Sequence, residues 1–431
     1  MKSKLFKGGD GYFNLYSVLC FFTPLIYLTG TNEIFEFPKM FFVYFMAIAI
    51  FAVYAFDVIF KDNFKPVVIL PSLPVMFFFL SFIISTIFSS ELRTSIWGYY
   101  TRFNDGLVSM FAYFVIYFVA VNKLSEHEFA KIVKISLCSV AVSGSLGVLQ
   151  HFGGFTQTWG GGEIERAFST LGQPNWFAQF LGMQLVLIFY FYLRDKLSRF
   201  WAALFIIGFS GMWFAYSVSG ILGFVFGMFV LFAILYFKKM LLKKDLIRSV
   251  LLLGICLVIA LSSPGIFYAK LQDAFNDISK KVMQIVPNVY AESQNLVSDP
   301  GFIRLGMWEG TVKLIFSSPK VFLIGTGPET FPYAFQKFRP MSVNYSSEWE
   351  YVLNKPHNYY LEVFAEQGVL GPISFLLLFG YVIKKSRFWI VPALAVFFAT
   401  NLFGWPVVSV SLFFWFITAF SEVANSEGTV K

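Results

Sequence analysis

The chain alternates long apolar blocks with short polar joints. About twelve of the blocks are long enough to cross a bilayer, which takes roughly 17–25 residues. They extend over approximately 15–30, 38–60, 69–88, 106–122, 132–152, 175–193, 199–216, 219–237, 246–263, 369–383, 388–403 and 405–421. One polar interval is far longer than the rest. It runs from Ser263 to Gln367 and separates nine blocks from the last three. A structureless connection of that length is uncommon, so a small folded or functional unit is expected there. The pattern predicts an all-α polytopic membrane protein in three parts. Transmembrane helices 1–9 fill residues 1–262, one long extracytoplasmic helical loop fills 263–367, and transmembrane helices 10–12 fill 368–431.

The long interval has its own periodicity. Phe267, Leu271, Phe275, Ile278, Val282 and Ile285 recur at three- and four-residue steps, opposite Lys270, Asp273, Asp277, Lys280 and Lys281. That predicts an amphipathic helix lying in the interface. A second helix is expected to start at Asp299-Pro300, with Asp as N-cap and Pro at the first helical position. It places Arg304 and Trp308 four residues apart on one face, where a cation–π contact would hold the guanidinium and leave its donors free. A glycine turn follows, Gly325 to Phe331, and then a third short helix. The interval closes on Pro356 to Gly371, PHNYYLEVFAEQGVLG, which holds one of only three histidines in the chain. Pro356 suits a first helical turn, and His357, Leu361 and Phe364 then share a face. Gly368 and Gly371 interrupt that face before the next apolar block. The expected arrangement is a short surface helix, a glycine bend and a span.

Composition agrees with this class. Of 431 residues, 57% are hydrophobic and only 13% charged, against about 25% charged in soluble domains. The 58 phenylalanines read as lipid-facing and core bulk. Lys and Arg crowd alternate joints: Lys2, Lys4, Lys7; Lys61, Lys65; Lys123, Lys131, Lys134; Arg194, Lys196, Arg199; Lys238, Lys239, Lys243, Lys244, Arg248; and Lys384, Lys385, Arg387. The opposite short joints hold only Lys39, Arg93, Arg102 and Arg166. The crowded side is expected to be cytoplasmic, with both termini inside. The net charge of +8 therefore reflects topology, and no basic-aromatic patch points to nucleic acid. The basic start, MKSKLFKGGD, has no small-residue cleavage site after its apolar block and reads as a retained tail. Cys20, Cys138 and Cys256 all fall within expected spans, so no disulfide framework is implied. No Cys/His cluster suggests a metal.

The residues with chemistry lie in joints on the other side. Ser89 to Gly106 sets Arg93 and Arg102 among Trp97, Tyr99 and Tyr100. The aromatics suit an interfacial belt, and Arg102 is either a snorkelling anchor or a ligand-binding group. Gly153 to Pro174 is glycine-rich around its one base, Arg166, and Asn175 is placed to cap the following span. Tyr216 to Gly223, YSVSGILG, is small and polar, suited to close helix approach or to a polar pocket.

Arg304, Trp308, the Gly325-Thr326-Gly327-Pro328 turn and HNYYLEVFAEQGVLG together resemble the bacterial O-antigen ligase and O-antigen polymerase family. That family carries a His-Asn-x-x-Leu…Glu-x-Gly-x-x-Gly signature, here His357, Asn358, Leu361, Glu366, Gly368 and Gly371. Gly98-Tyr99-Tyr100-Thr101-Arg102 and Arg166…Gly172-Gln173-Pro174-Asn175 also resemble family segments, so the likeness spans roughly residues 80 to 385. One departure stands out. The family's Ser-Arg-Gly-Ala is Ser217-Val218-Ser219-Gly220 here, so one arginine is missing, and Arg166 or Arg102 is its candidate replacement.

The resemblance implies a multi-pass glycosyltransferase of the bacterial inner membrane, in lipopolysaccharide or polysaccharide synthesis. It would use an undecaprenyl diphosphate-linked glycan and a glycolipid, glycan or protein hydroxyl acceptor. No cofactor and no metal would take part. On that reading His357 is the base and Arg304 steadies the leaving diphosphate. Arg166, Arg102, Asn358, Trp308 and Glu366 bind substrate. His127 falls in a cytoplasmic joint, and His151 ends the fifth block on the outer side as a rival base. A repeat polymerase or protein O-oligosaccharyltransferase is the near alternative. A transporter is the distant one, disfavoured because ionisable groups are scarce in the blocks apart from Asp57.

Overall fold

The computed structural model describes residues 10–62, 68–154, 166–263, 300–346 and 348–424. Every element there is a helix. In chain order they are α1 (Asp10–Phe22), α2 (Glu36–Phe60), α3 (Leu73–Ile87), α4 (Leu92–Trp97), α5 (Leu107–Lys123), α6 (Glu126–Leu137), α7 (Ser139–His151), α8 (Pro174–Arg194), α9 (Ser198–Phe214), α10 (Val218–Phe237) and α11 (Lys243–Ser262). After the long interval's first part come α12 (Pro300–Ile315), α13 (Pro319–Ile324), α14 (Phe331–Ala334), α15 (Met341–Asn344), α16 (Tyr359–Gln367), α17 (Leu370–Lys385), α18 (Val391–Thr400) and α19 (Val408–Val423).

All twelve expected blocks coincide with helices. Five are long and apolar enough to span a bilayer: Glu36–Phe60, Glu126–His151, Pro174–Arg194, Val218–Phe237 and Lys243–Ser262. The others are shorter. Proline explains several of the early ends: Pro24 follows α1, Pro74 sits in the first turn of α3, and Pro392 in that of α18. The chain is an all-helical, polytopic membrane protein. Its outer surface agrees: Phe45, Ile48, Phe229, Val250 and Leu261 are each more than 60% exposed, an apolar surface of the kind that faces lipid.

α8 is the axis. It is apolar on all sides and packs against α9, α10 and α18. Small residues let α10 come close: a Cβ on Gly220 would meet Ala178 at 2.3 Å, and one on Gly223 would meet Thr400 at 2.5 Å. Both readings of YSVSGILG therefore hold, since Ser219 also lines a cleft.

The short helices α12 to α16 form a cap with a core of its own, built on Ile303, Met307, Phe331, Phe335 and Ala365. α16 joins cap to bundle. Leu361 and Phe364 pack into the cap core, while Tyr359 and Tyr360 pack against the bundle core. Two glycines make the joint possible. Gly325 (φ +87°) and Gly368 (φ +62°) adopt left-handed backbone, and a Cβ on either would meet the other segment's backbone at 2.2–2.3 Å. Thr326 and Gly327 donate to the carbonyls of Ala365 and Glu366 at 3.0 and 2.9 Å.

Several expectations change. The helix of the histidine segment begins at Tyr359, because Asn358 Oδ1 accepts from the amides of Tyr360 and Leu361 at 3.1 Å. His357 thus lies outside the helix and shares no face with Leu361. Gln173, in place of Asn175, caps α8 through Trp176 N at 3.0 Å. Lys39, expected in an exposed joint, is fully buried in the first turn of α2. It lies 3.5 Å from Glu36 and donates to the carbonyls of Phe35 and Thr170 at 3.0 and 2.8 Å. The expected amphipathic helix and Asp299 lie outside the described residues.

Candidate functional site

Four separate stretches bring their cations and one imidazole to the same end of the bundle. Arg102 comes from the tight turn between α4 and α5. That turn closes because Gly98 (φ +88°) lies against the backbone of Asn104. Its guanidinium lies 5.1 Å from the ring centre of Trp176, at the start of α8. Trp176 meets Trp405 edge-on at 5.7 Å, and Trp405 meets the His357 ring edge-on at 5.0 Å. An aromatic bridge therefore links Arg102 to His357, and the cleft beside it is lined by Gln173, Asn175, Gln179, Ser219 and Thr400.

Arg166 is held at the start of α10. Its Nε donates to the carbonyl of Ala215 at 3.0 Å, and its Nη2 to Asn175 Oδ1 at 3.1 Å. Ser217, next to Val218, donates to the same Asn175 oxygen at 2.8 Å. The arginine from the glycine-rich joint is therefore anchored beside Val218, where the resemblance implies an arginine.

Arg304 projects from α12 and makes no hydrogen bond, ion pair or ring contact with any described residue. The expected cation–π contact with Trp308 does not form; Trp308 Nε1 donates to the Pro356 carbonyl at 3.1 Å. Trp308 thereby ties α12 to the histidine turn. Burial pushes the Arg304 guanidinium below its usual range. Burial and then the Arg304 charge do the same to Arg166. A partly desolvated pair of arginines is a place for a bound anion.

His357 is half-buried in left-handed backbone, φ +56°, which costs a non-glycine residue roughly 1–2 kcal/mol. Its Nδ1 lies 3.3 Å from the Lys355 carbonyl. A carbonyl only accepts, so Nδ1 carries the proton and Nε2 is left as the lone-pair nitrogen. Burial first, then the charges of Arg304 and Arg102, pull its pKa down to about 4 against a slight rise from the Lys355 contact. The imidazole is neutral at physiological pH. His151 lies elsewhere, stacked flat on Phe214 at 3.8 Å. His127 is exposed on α6.

Asn358 and Glu366, also expected to bind substrate, are likewise engaged by the protein itself. Asn358 spends its oxygen on the α16 cap. Glu366 is buried, and its Oε1 accepts from Phe331 N at 3.2 Å. It belongs to a second cluster that sequence reasoning missed. Lys355 is buried there against Glu329 and Glu362, with Asp105 at 3.9 Å. Burial alone would lower the Lys355 pKa, but Glu329, Glu362, Asp105 and Glu366 together raise it well above its usual value. Burial raises Glu362, Glu366 and Asp105. Carboxylate oxygens of Glu329, Glu362 and Glu366 lie within 4.8 Å of one another, a spacing that suits a cation. The Lys355 ammonium already contacts two of the three. The signal in the sequence was Glu362 and Glu366 at i, i+4, with a lysine seven residues before Glu362.

The comparisons with known proteins bear on this geometry. Residues 202–376 match the family model described as O-antigen ligase. The match, somewhat under half of the chain, supports the O-antigen ligase family and contains Arg304, Trp308, His357, Asn358 and Glu366. Arg102 and Arg166 lie upstream of it. No curated protein and no solved structure matches the chain.

Proposed function

We propose that this protein is a membrane glycosyltransferase that moves a glycan from an undecaprenyl diphosphate carrier to a hydroxyl acceptor at the extracytoplasmic face of the inner membrane. The observation that carries the reading is a neutral His357 within the field of Arg304 and Arg102, with Arg166 held on Asn175 of the same cleft. The acceptor oxygen attacks the anomeric carbon, and its proton passes to His357 Nε2. The bond to the diphosphate breaks, and the electron pair leaves with the phosphate oxygen. Guanidinium groups stabilise that growing charge. Arg166, beside Val218, takes the place of the family arginine. The divisions 1–262, 263–367 and 368–431 then separate a lipid-facing bundle, a cap over the reaction and a closing set of spans. The test is reconstitution of the purified protein with undecaprenyl diphosphate-linked glycan and a panel of glycolipid, glycan and protein acceptors. Transfer with release of undecaprenyl diphosphate supports the reading, and its absence with every acceptor counts against it.

Transfer is expected to survive chelation. The carboxylate group that best suits a cation already holds the Lys355 ammonium, and arginines face the diphosphate. Loss of turnover in chelator, restored by a divalent ion, would show that a metal takes part.

The cap is expected outside, because the Lys- and Arg-rich joints lie opposite. Ser346 is fully buried, whereas Asn344 is exposed. Asn344→Cys in a chain stripped of its own cysteines is therefore the probe. An impermeant thiol reagent should label it in cells whose outer membrane alone has been opened. Labelling only after the inner membrane is lysed would invert the topology.

A further inference from the structure

The buried cage around Lys355 lies two residues from His357, and the turn between them is clamped on every side. Pro356 gives its carbonyl to Trp308 Nε1 at 3.1 Å. Asn358 caps α16, and Tyr359 N donates to the Asn401 carbonyl at 2.9 Å. Upstream, the turn is anchored by Lys355, 3% exposed, with its ammonium on Glu329 and Glu362 and near Asp105. Its carbonyl is the group that meets His357 Nδ1. A left-handed histidine holds its shape only where its surroundings over-determine it. Glu362 Oε2 is buried without a hydrogen-bond partner and lines a cavity of about 50 Å³, room for a few water molecules. The cage is thus not closed around its own charge: four carboxyl groups share one ammonium, and removing that ammonium leaves acids that must separate or take up protons.

We infer that Lys355, locked by Glu329, Glu362 and Asp105, is the positioning residue that sets the tautomer and aim of His357. The ammonium never meets substrate. It fixes the carbonyl that holds the Nδ1 proton, and so leaves Nε2 for the cleft lined by Asn175, Gln179 and Ser219. The Lys355 ammonium sits among carboxylates spaced to hold a cation, and the cage joins three segments that are distant in sequence: the turn before α5, the turn before α14, and α16. This rests on the reading of His357 as the base.

The test has a readout that does not depend on turnover. The chain has three histidines, so ¹⁵N-histidine labelling gives three imidazole signal sets, and His357→Ala identifies one of them. In the native protein the His357 shifts should report a proton on Nδ1. In Lys355→Met they should average between the two tautomers, while His127 and His151 stay unmoved. Turnover should fall about 10- to 100-fold, as for a misaimed catalytic group, with donor affinity unchanged because the arginines are untouched. Glu329→Gln, which removes one arm of the cage, should move both readouts in the same direction by less, and it decides the matter if Lys355→Met does not fold. An unchanged His357 tautomer in a folded variant overturns the positioning role. Near-native transfer by His357→Ala overturns the base assignment instead, and leaves the tautomer result standing.

Discussion

His357→Ala loses at least about 100-fold in glycan transfer, the lower end of what a positioned general base contributes. It still folds and still binds the lipid-linked donor, because Arg166 is anchored on Ala215 and Asn175 independently of the imidazole and Arg304 makes no contact with it. His151→Ala, whose ring stacks on Phe214, should remain near native. The pH dependence has a definite sign. In the free protein the His357 pKa is pulled down to about 4, first by burial and then by Arg304 and Arg102. Base catalysis therefore persists into acid, and kcat/KM falls only as the pH drops through that value. A bound diphosphate offsets the arginine charges, so the imidazole gains proton affinity in the complex. The acid limb of kcat should accordingly lie at higher pH than that of kcat/KM. Transfer assays with monodisperse purified variants give both limbs. A well-folded His357→Ala with native turnover, or a kcat limb at lower pH than the kcat/KM limb, would defeat the assignment.

The hydrophobic pattern carried the bundle. Each apolar block became a helix, since burial in lipid or in neighbouring helices is enforced by the side chains of the block itself. Pairings across the chain were not legible. Lys39 reads as a surface base, and only the folded chain shows it bonded to Thr170, far along the sequence. Gln173 takes the cap expected of Asn175, whose oxygen accepts from both Arg166 and Ser217. The spacing sets Trp308 against a guanidinium one turn away, whereas its N–H ties to a carbonyl in the histidine turn that no local pattern marks. The candidate site was legible as types and motifs: His357, Arg304, Arg166 and Arg102 were all in view. Its geometry was not, because an Asn cap pushed His357 out of the helix into left-handed backbone. The carboxylate cage stayed hidden because its members come from three segments and only Glu362 and Glu366 share a helix.

Of the three site arginines, Arg304 alone has no hydrogen-bond, ion-pair or ring partner among the described residues, which leaves its donors open to a ligand. Arg304→Ala should cost about 100- to 1,000-fold in kcat, the usual loss when one preorganised donor to a developing oxyanion is removed. Arg304→Lys should recover only a small part of this, since an ammonium cannot make the paired contact of a planar guanidinium. A second consequence separates charge from contact. Arg304 is the first-ranked charge among the groups that depress His357, after burial. Arg304→Ala should therefore raise the acid limb of kcat/KM, whereas Arg304→Lys, which keeps a positive charge nearby, should move it less. Arg166→Ala should lose activity and donor affinity if it replaces the missing arginine at Val218. The measurements are donor binding, kcat and the pH profile for the three variants on one preparation. Full activity with unchanged donor affinity in Arg166→Ala would remove Arg166 from the site and leave Arg102 as the second diphosphate ligand. Full activity in Arg304→Ala would remove the diphosphate reading itself.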